Sequence, residues 1–148
     1  MTELPPRLFA SDAEIVALGE TWLALRLPKP SWTHEAHLAA TTWLLTCRPD
    51  IDVDAELPGI IRRYNESVGG VNSDREGYHE TITRAFLAGT RLYLRDSPAN
   101  GRLLDRVNGL LLSPMGRRDW PLNFYSRERL FSVEARLGFV EPDLRPLP

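Results

Sequence analysis

The chain has 148 residues, 43% of them hydrophobic and 26% charged, and a formal charge of −2. That length and balance suit one folded domain and exclude a disordered chain, while the slight negative charge argues against a nucleic-acid binder held mainly by phosphate contacts. No apolar run approaches the roughly 18 residues of a membrane span and the N-terminus has no basic or long apolar region of a signal peptide, so a bacterial-type cytoplasmic protein with no membrane partner is expected.

The elements read as helix after helix. Ser11-Asp12-Ala13-Glu14 is a capping box, opening a segment with Ile15, Leu18, Trp22 and Leu25 at helical spacing, which Pro28 and Pro30 close. A second helix is expected from about Thr33, its cap, to Cys47. A third covers about Val53 to Ser67, with Ile60, Ile61 and Tyr64 inward and Gly69-Gly70 as its stop. Pro58 cannot donate a backbone hydrogen bond, so the first turn of that third helix is expected to be separate. Ser73-Asp74-Arg75-Glu76 reads as another capping box, giving a fourth helix from about Asp74 to Leu94 with Ile82, Phe86, Gly89 and Tyr93 inward.

Asp96-Ser97-Pro98 starts a fifth helix that carries Leu103, Leu104, Val107, Leu110 and Leu111. Ser113-Pro114 breaks it, and an irregular aromatic stretch holds Trp120, Phe124 and Tyr125. Ser126 caps a last helix that ends at Leu137, with Gly138 as a left-handed stop. The remainder, through Pro142, Pro146 and Pro148, is an extended tail. Period-two alternation is absent over any useful length. The expected fold is all-α: one compact domain, 1–148, of about six helices with an extended proline-rich C-terminal tail.

All three histidines fall in two short motifs, Thr33-His34-Glu35-Ala36-His37 and Tyr78-His79-Glu80-Thr81. His34 and His37, three apart, share a helical face that Thr41 continues; His79 and Thr83 form a similar pair on the fourth helix. Packing of the second and fourth helices at their N-terminal ends would bring the imidazoles together. Neutral histidine nitrogens with an open position suit zinc or another divalent transition metal, so His34, His37 and His79 are candidate metal ligands. Glu35, Glu76 or Glu80 would complete the shell or orient a ring. Glu76-x-x-His79 matches one half of a di-iron motif, but the second copy that such a site requires is absent. The bland alternative is that each histidine caps a helix or ties two together.

Tyr125-Ser126-Arg127 forms a second polar cluster, where a helix start and an arginine would receive an anionic group. Its alternative is a capping Ser126 beside a packed Tyr125, with Arg136 and Asp143 clamping the tail. Arg117-Arg118 and Arg127-Glu128-Arg129 are too short and mixed to be a basic patch, and Gly69-Gly70 lacks the strand and lysine of a phosphate loop. Cys47 is the only cysteine, which excludes an intrachain disulfide; in its apolar helical stretch it reads as a buried thiol.

His34-x-x-His37-Leu38, Tyr78-His79-Glu80-Thr81-Ile82-Thr83, and Tyr125-Ser126-Arg127 followed by Ala135-Arg136 and Pro142-Asp143-Leu144 together resemble a family of small, uncharacterised bacterial helical proteins. The resemblance covers about Trp32 to Pro148 and implies the all-helical fold and the motif residues, but no reaction. DinB-like bundles are similar in size and in using three histidines, with a different spacing. HD-domain hydrolases need a His-Asp dipeptide that this chain does not have.

Two functions are therefore expected to compete. In one, an interhelical pocket lined by His34, His37 and His79 binds a small polar molecule, with or without a metal. Tyr78, Thr83, Tyr125 and Arg127 then contact the ligand, and His79 or Glu80 moves a proton. In the other, the histidines are structural and the protein is a non-catalytic accessory or adaptor. Trp120, Phe124, Tyr125 and the tail then make the partner surface, in the simplest case that of a homodimer. Convergent histidines on a concavity favour the first; separated rings, each bonded to backbone, favour the second.

Overall fold

Side-chain caps decide where most of the helices begin. The computed structural model describes residues 5–148, so the start of the N-terminus, expected to lack a targeting signal, lies outside the described residues. Helix α1, Asp12–Leu23, opens with the Glu14 N–H on Ser11 Oγ at 3.1 Å, and the Glu14 carboxylate returns to the Ala10 N–H at 3.3 Å. Helix α2, His34–Cys47, opens with the Ala36 N–H on Thr33 Oγ1 at 3.1 Å. Helix α3, Val53–Ser67, opens on Asp52, whose own N–H is held by Glu56 at 2.7 Å. Pro58 does not detach a first turn. It lies near the start of α3, where it removes a single bond that the capping residues outweigh. Gly69, at φ 86°, turns the chain after it.

Helix α4 runs Glu80–Asp96, not from Asp74. Ser73 does accept the Arg75 and Glu76 N–H groups, at 3.2 and 3.3 Å, but it closes only a turn. Gly77 then takes φ 81°, a left-handed backbone that no helix continues through, and an added Cβ there would lie 2.3 Å from the Val71 carbonyl oxygen. The cap of α4 is His79. Helix α5, Leu103–Leu112, begins five residues beyond Pro98 because its partner is distant in sequence: Asp12 of α1 accepts the Leu104 N–H at 2.7 Å.

The expected last helix is two. Ser126 caps α6, Arg127–Leu130, and Ser132 caps α7, Val133–Leu137, so a second capping serine splits the segment. Gly138 is extended at φ −154° and does not make a left-handed stop.

Two apolar clusters fill the interior. The larger gathers α1, α2, α3 and α5 around Trp22, Leu44, Tyr64 and Leu110. At the α1–α2 crossing the Trp43 ring covers Gly19 so closely that an added Cβ would sit 2.2 Å from it. The smaller holds Trp120, Phe124, Tyr125 and Leu130, and Phe86 of α4 packs against both. Those three aromatics are buried, so they do not form the exposed partner surface expected of them.

Residues 141–148 carry no helix, as expected, but they lie against the domain. Asp143 accepts the Ser126 N–H and hydroxyl at 2.8 and 2.6 Å, and Leu147 packs on the smaller cluster. Asp143 is thus the expected clamp, and its carboxyl is held below the usual range by those Ser126 bonds. Arg136 instead donates to the Gly77 carbonyl at 2.8 Å. Cys47 is exposed, not buried, because α2 ends there with that face turned out. Among the described residues no helix is long and apolar enough to cross a membrane.

Candidate functional site

Helices α2 and α4 pack against each other, as the shared histidine site requires. The His34 ring meets the Phe86 ring edge-on at 5.3 Å. Between α2, α3 and α4 lies a cavity of about 750 Å³, and His34, His37 and His79 all line it. Tyr78, Thr83 and Thr41 line it as well. Of the candidate site residues, these are the ones brought together.

The three rings play different parts. His79 is fully used: Nδ1 accepts the Ile82 N–H at 3.1 Å, and Nε2 faces the Leu130 carbonyl at 2.9 Å. A carbonyl only accepts, so Nε2 carries the hydrogen and the tautomer is fixed by both bonds. Burial lowers the pKa of this imidazole; the Leu130 bond opposes that shift, and the Arg136 charge adds to it. His34 likewise turns Nε2–H to the Gly116 carbonyl at 2.8 Å, which fastens α2 to the turn after α5.

His37 differs. Its ring stacks on Trp32 with centroids 3.9 Å apart, and among the described residues neither nitrogen has a hydrogen-bond partner. Burial, with the neighbouring His34 second, drives its pKa down to about 3, so the ring is neutral at pH 7. Trp32 in turn stacks on Trp22 at 4.9 Å and leans on Tyr64 at 5.3 Å, which holds the imidazole plane in place.

This arrangement is not the expected metal triad. His79 has no nitrogen lone pair to give, and His34 has already committed Nε2 to a carbonyl. Among the described residues no group of three or more His, Cys, Asp and Glu side chains is placed to hold a metal ion. The glutamates do not complete a shell. Glu35 is buried on the far side of α2, near the Arg7 N–H and Arg118 at 3.5 and 3.6 Å, and Glu76 is exposed at the cavity rim.

Glu80 does not line the cavity. Its carboxylate accepts the Tyr78 hydroxyl and pairs with Arg84 at 3.3 Å, and Arg84 also faces Asp54. Burial, then the Glu80 bond, raises the Tyr78 phenol above its ordinary range. Tyr125 and Arg127 also lie outside. Tyr125 is buried in the smaller cluster, gives its hydroxyl to the Val140 carbonyl at 2.7 Å, and is pushed up to about 12 by burial and the Glu141 charge. Arg127 is exposed on a helix of four residues, too short to build an anion site.

Sequence reasoning missed the α3 wall, where Leu57, Ile61, Tyr64 and Asn65 close the cavity. It also missed the segment after α3 that rims it. Asn72 pins that segment: its Oδ1 accepts Asn65 Nδ2 and the Tyr78 N–H at 3.1 and 3.0 Å, and its Nδ2 donates to the Arg62 carbonyl at 3.1 Å. The one available signal was Trp32, a large aromatic directly before the Thr33 cap. No protein-family model, curated protein or solved structure matches this chain.

Proposed function

We propose that the protein binds a small organic molecule in the cavity between α2, α3 and α4. The observation that carries this reading is His37: a half-buried imidazole, fixed by stacking on Trp32, whose ring nitrogens have no hydrogen-bond partner among the described residues, beside a cavity of about 750 Å³. Small-molecule sites run to roughly 300–1,000 Å³, mostly apolar with few convergent polar groups. Trp32 and Thr90 on the same wall each hold a buried polar atom without a partner among the described residues, which is uncommon in finished cores. His34 and His79 serve this site as struts that fix its walls.

The test uses the neutral fluorophore N-phenyl-1-naphthylamine. Saturable fluorescence enhancement with one molecule bound per chain is expected, and Thr41→Trp, which fills the cavity from α2, should weaken binding by about tenfold or more. Binding that is not saturable, or that Thr41→Trp leaves unchanged in a folded protein, would remove the reading.

One observation favours a second role, a homodimer. Val133 and Leu137 lie four apart on α7 and are exposed, as are Phe131 and Phe139 on either side of that helix. Sedimentation equilibrium would then show a concentration-dependent dimer that Leu137→Ser dissociates; a monomer at all concentrations would exclude it.

A further inference from the structure

The cavity's lining narrows the chemistry of what it holds. Of the described residues around it, only Lys29 and Glu76 carry a formal charge, and both are exposed at the rim. The nearby guanidinium groups are turned outward: Arg62 lies over the outer face of the Tyr78 ring at 4.6 Å, and Arg84 and Arg91 are held by Asp54. His79 has both nitrogens in backbone bonds, and Tyr78 keeps its proton toward Glu80. An ion buried here would be desolvated without a partner of opposite charge, which is costly. Apolar and aromatic walls remain, from Trp32, Phe86, Leu38, Ile61 and Ile82.

The unpartnered polar groups of the lining include the ring nitrogens of His37. A neutral imidazole presents one N–H and one lone pair, and at His37, which lines the cavity, neither has a partner among the described residues. Trp32 and Thr90, also on the cavity wall, each hold a buried polar atom without a partner among the described residues.

Resting on the pocket reading above, the geometry points to an uncharged, largely aromatic ligand that carries one hydroxyl-like group, donor and acceptor at once, anchored on the ring nitrogens of His37. Such a ligand differs from the small polar one expected from the sequence. The bulk of the molecule is apolar, with a single polar contact that sets its orientation, and no cation or anion site is involved.

Four probes of one shape test it at pH 7 by equilibrium dialysis: naphthalene, 2-naphthol, naphthalene-2-sulfonate and 2-naphthylmethylammonium. 2-Naphthol is expected to bind about tenfold tighter than either ion and about threefold to tenfold tighter than naphthalene, the advantage of one hydrogen-bonding group. His37→Phe, which keeps the stack on Trp32, should bring 2-naphthol level with naphthalene, and His37→Gln, with its own donor and acceptor, should restore part of the gap. If either ion binds as tightly as 2-naphthol, or the 2-naphthol preference survives His37→Phe, the assignment of ligand class is overturned. The pocket itself still stands in that case, provided Thr41→Trp abolishes binding of the naphthyl probes. If none of the four binds the wild-type protein, both the ligand class and the pocket fall.

Discussion

Replacing His79 by alanine is expected to cost about 2–4 kcal/mol of folding stability, the sum of a lost cap, a buried carbonyl left unpaired and a small cavity. His79 is 8% exposed, and its ring holds three parts of the structure at once. Nδ1 starts α4 at Ile82, Nε2–H bonds Leu130 at the end of α6, and the imidazole forms part of the cavity wall. His79→Asn, whose amide oxygen is a good cap, should recover about 1 kcal/mol by restoring the Ile82 bond while leaving Leu130 unpaired. Urea unfolding of the three proteins measures this. A loss in His79→Ala of well under 1 kcal/mol would show that the ring does not bolt α4 to α6 and would reopen a ligand role for it. Its placement also explains why a histidine can look functional in sequence and act structurally. Next to a helix start, the imidazole accepts a backbone N–H as a serine would, and it reaches a second element that a serine cannot.

The all-helical class and the first three helices were legible because their signals are local. Ser11, Thr33 and Asp52 cap within three residues of themselves, and prolines and Gly69 stop what they start. The starts of α4 and α5 were misread for one cause, a local signal overridden by a distant one. Ser73 offers a capping pattern, yet Gly77 reverses the backbone and the helix waits for His79, whose second bond lies 51 residues away at Leu130. The start of α5 is set by Asp12, 92 residues from Leu104. Ser132, by contrast, was a readable second cap inside the segment assigned to one helix.

The candidate site divides the same way. Helical spacing places His34, His37 and Thr41 on one face of α2, and the cavity collects that face with Tyr78, His79 and Thr83. Spacing says nothing about whether a nitrogen is already bonded, and His34 and His79 bond to backbone whereas His37 has no such bond among the described residues. It also does not reveal the opposite wall. On α3, Leu57, Ile61 and Tyr64 carry the pattern of ordinary core residues, and they are buried; that they also face a concavity depends on where α2 and α4 lie in the fold. Tyr125 and Arg127 lie outside this cavity, Tyr125 giving its hydroxyl to Val140 and Arg127 standing exposed beside Ser126, which Asp143 of the tail holds.

Acid should destabilise the protein through His37, well above the pH at which its carboxylates titrate. The imidazole has a pKa of about 3 when folded, against 6.5 for the free side chain. Between those values the unfolded chain binds a proton that the folded chain does not, so stability rises with pH across this window, is complete above 6.5 and is lost as pH falls. At pH 5 the loss reaches about 2 kcal/mol, from 1.36 kcal/mol per pH unit. No acidic group among the described residues offsets the charge: His34 on the same helix repels it, Trp32 offers only the weaker attraction of its ring face, and His79, whose own pKa burial lowers, contributes with the same sign. Glu76 and Lys29 stay at the exposed rim. The Asp54 and Asp143 carboxyls lie below their ordinary value of 3.8 and so lose their contribution only at lower pH. Urea midpoints at pH 7, 6 and 5 should therefore fall steadily in the wild-type protein and much less in His37→Phe, which keeps the aromatic contact with Trp32 and takes up no proton. Parallel curves for the two proteins would show that His37 is protonated without penalty in the folded state, and with that the argument for an uncharged cavity would lose its central residue.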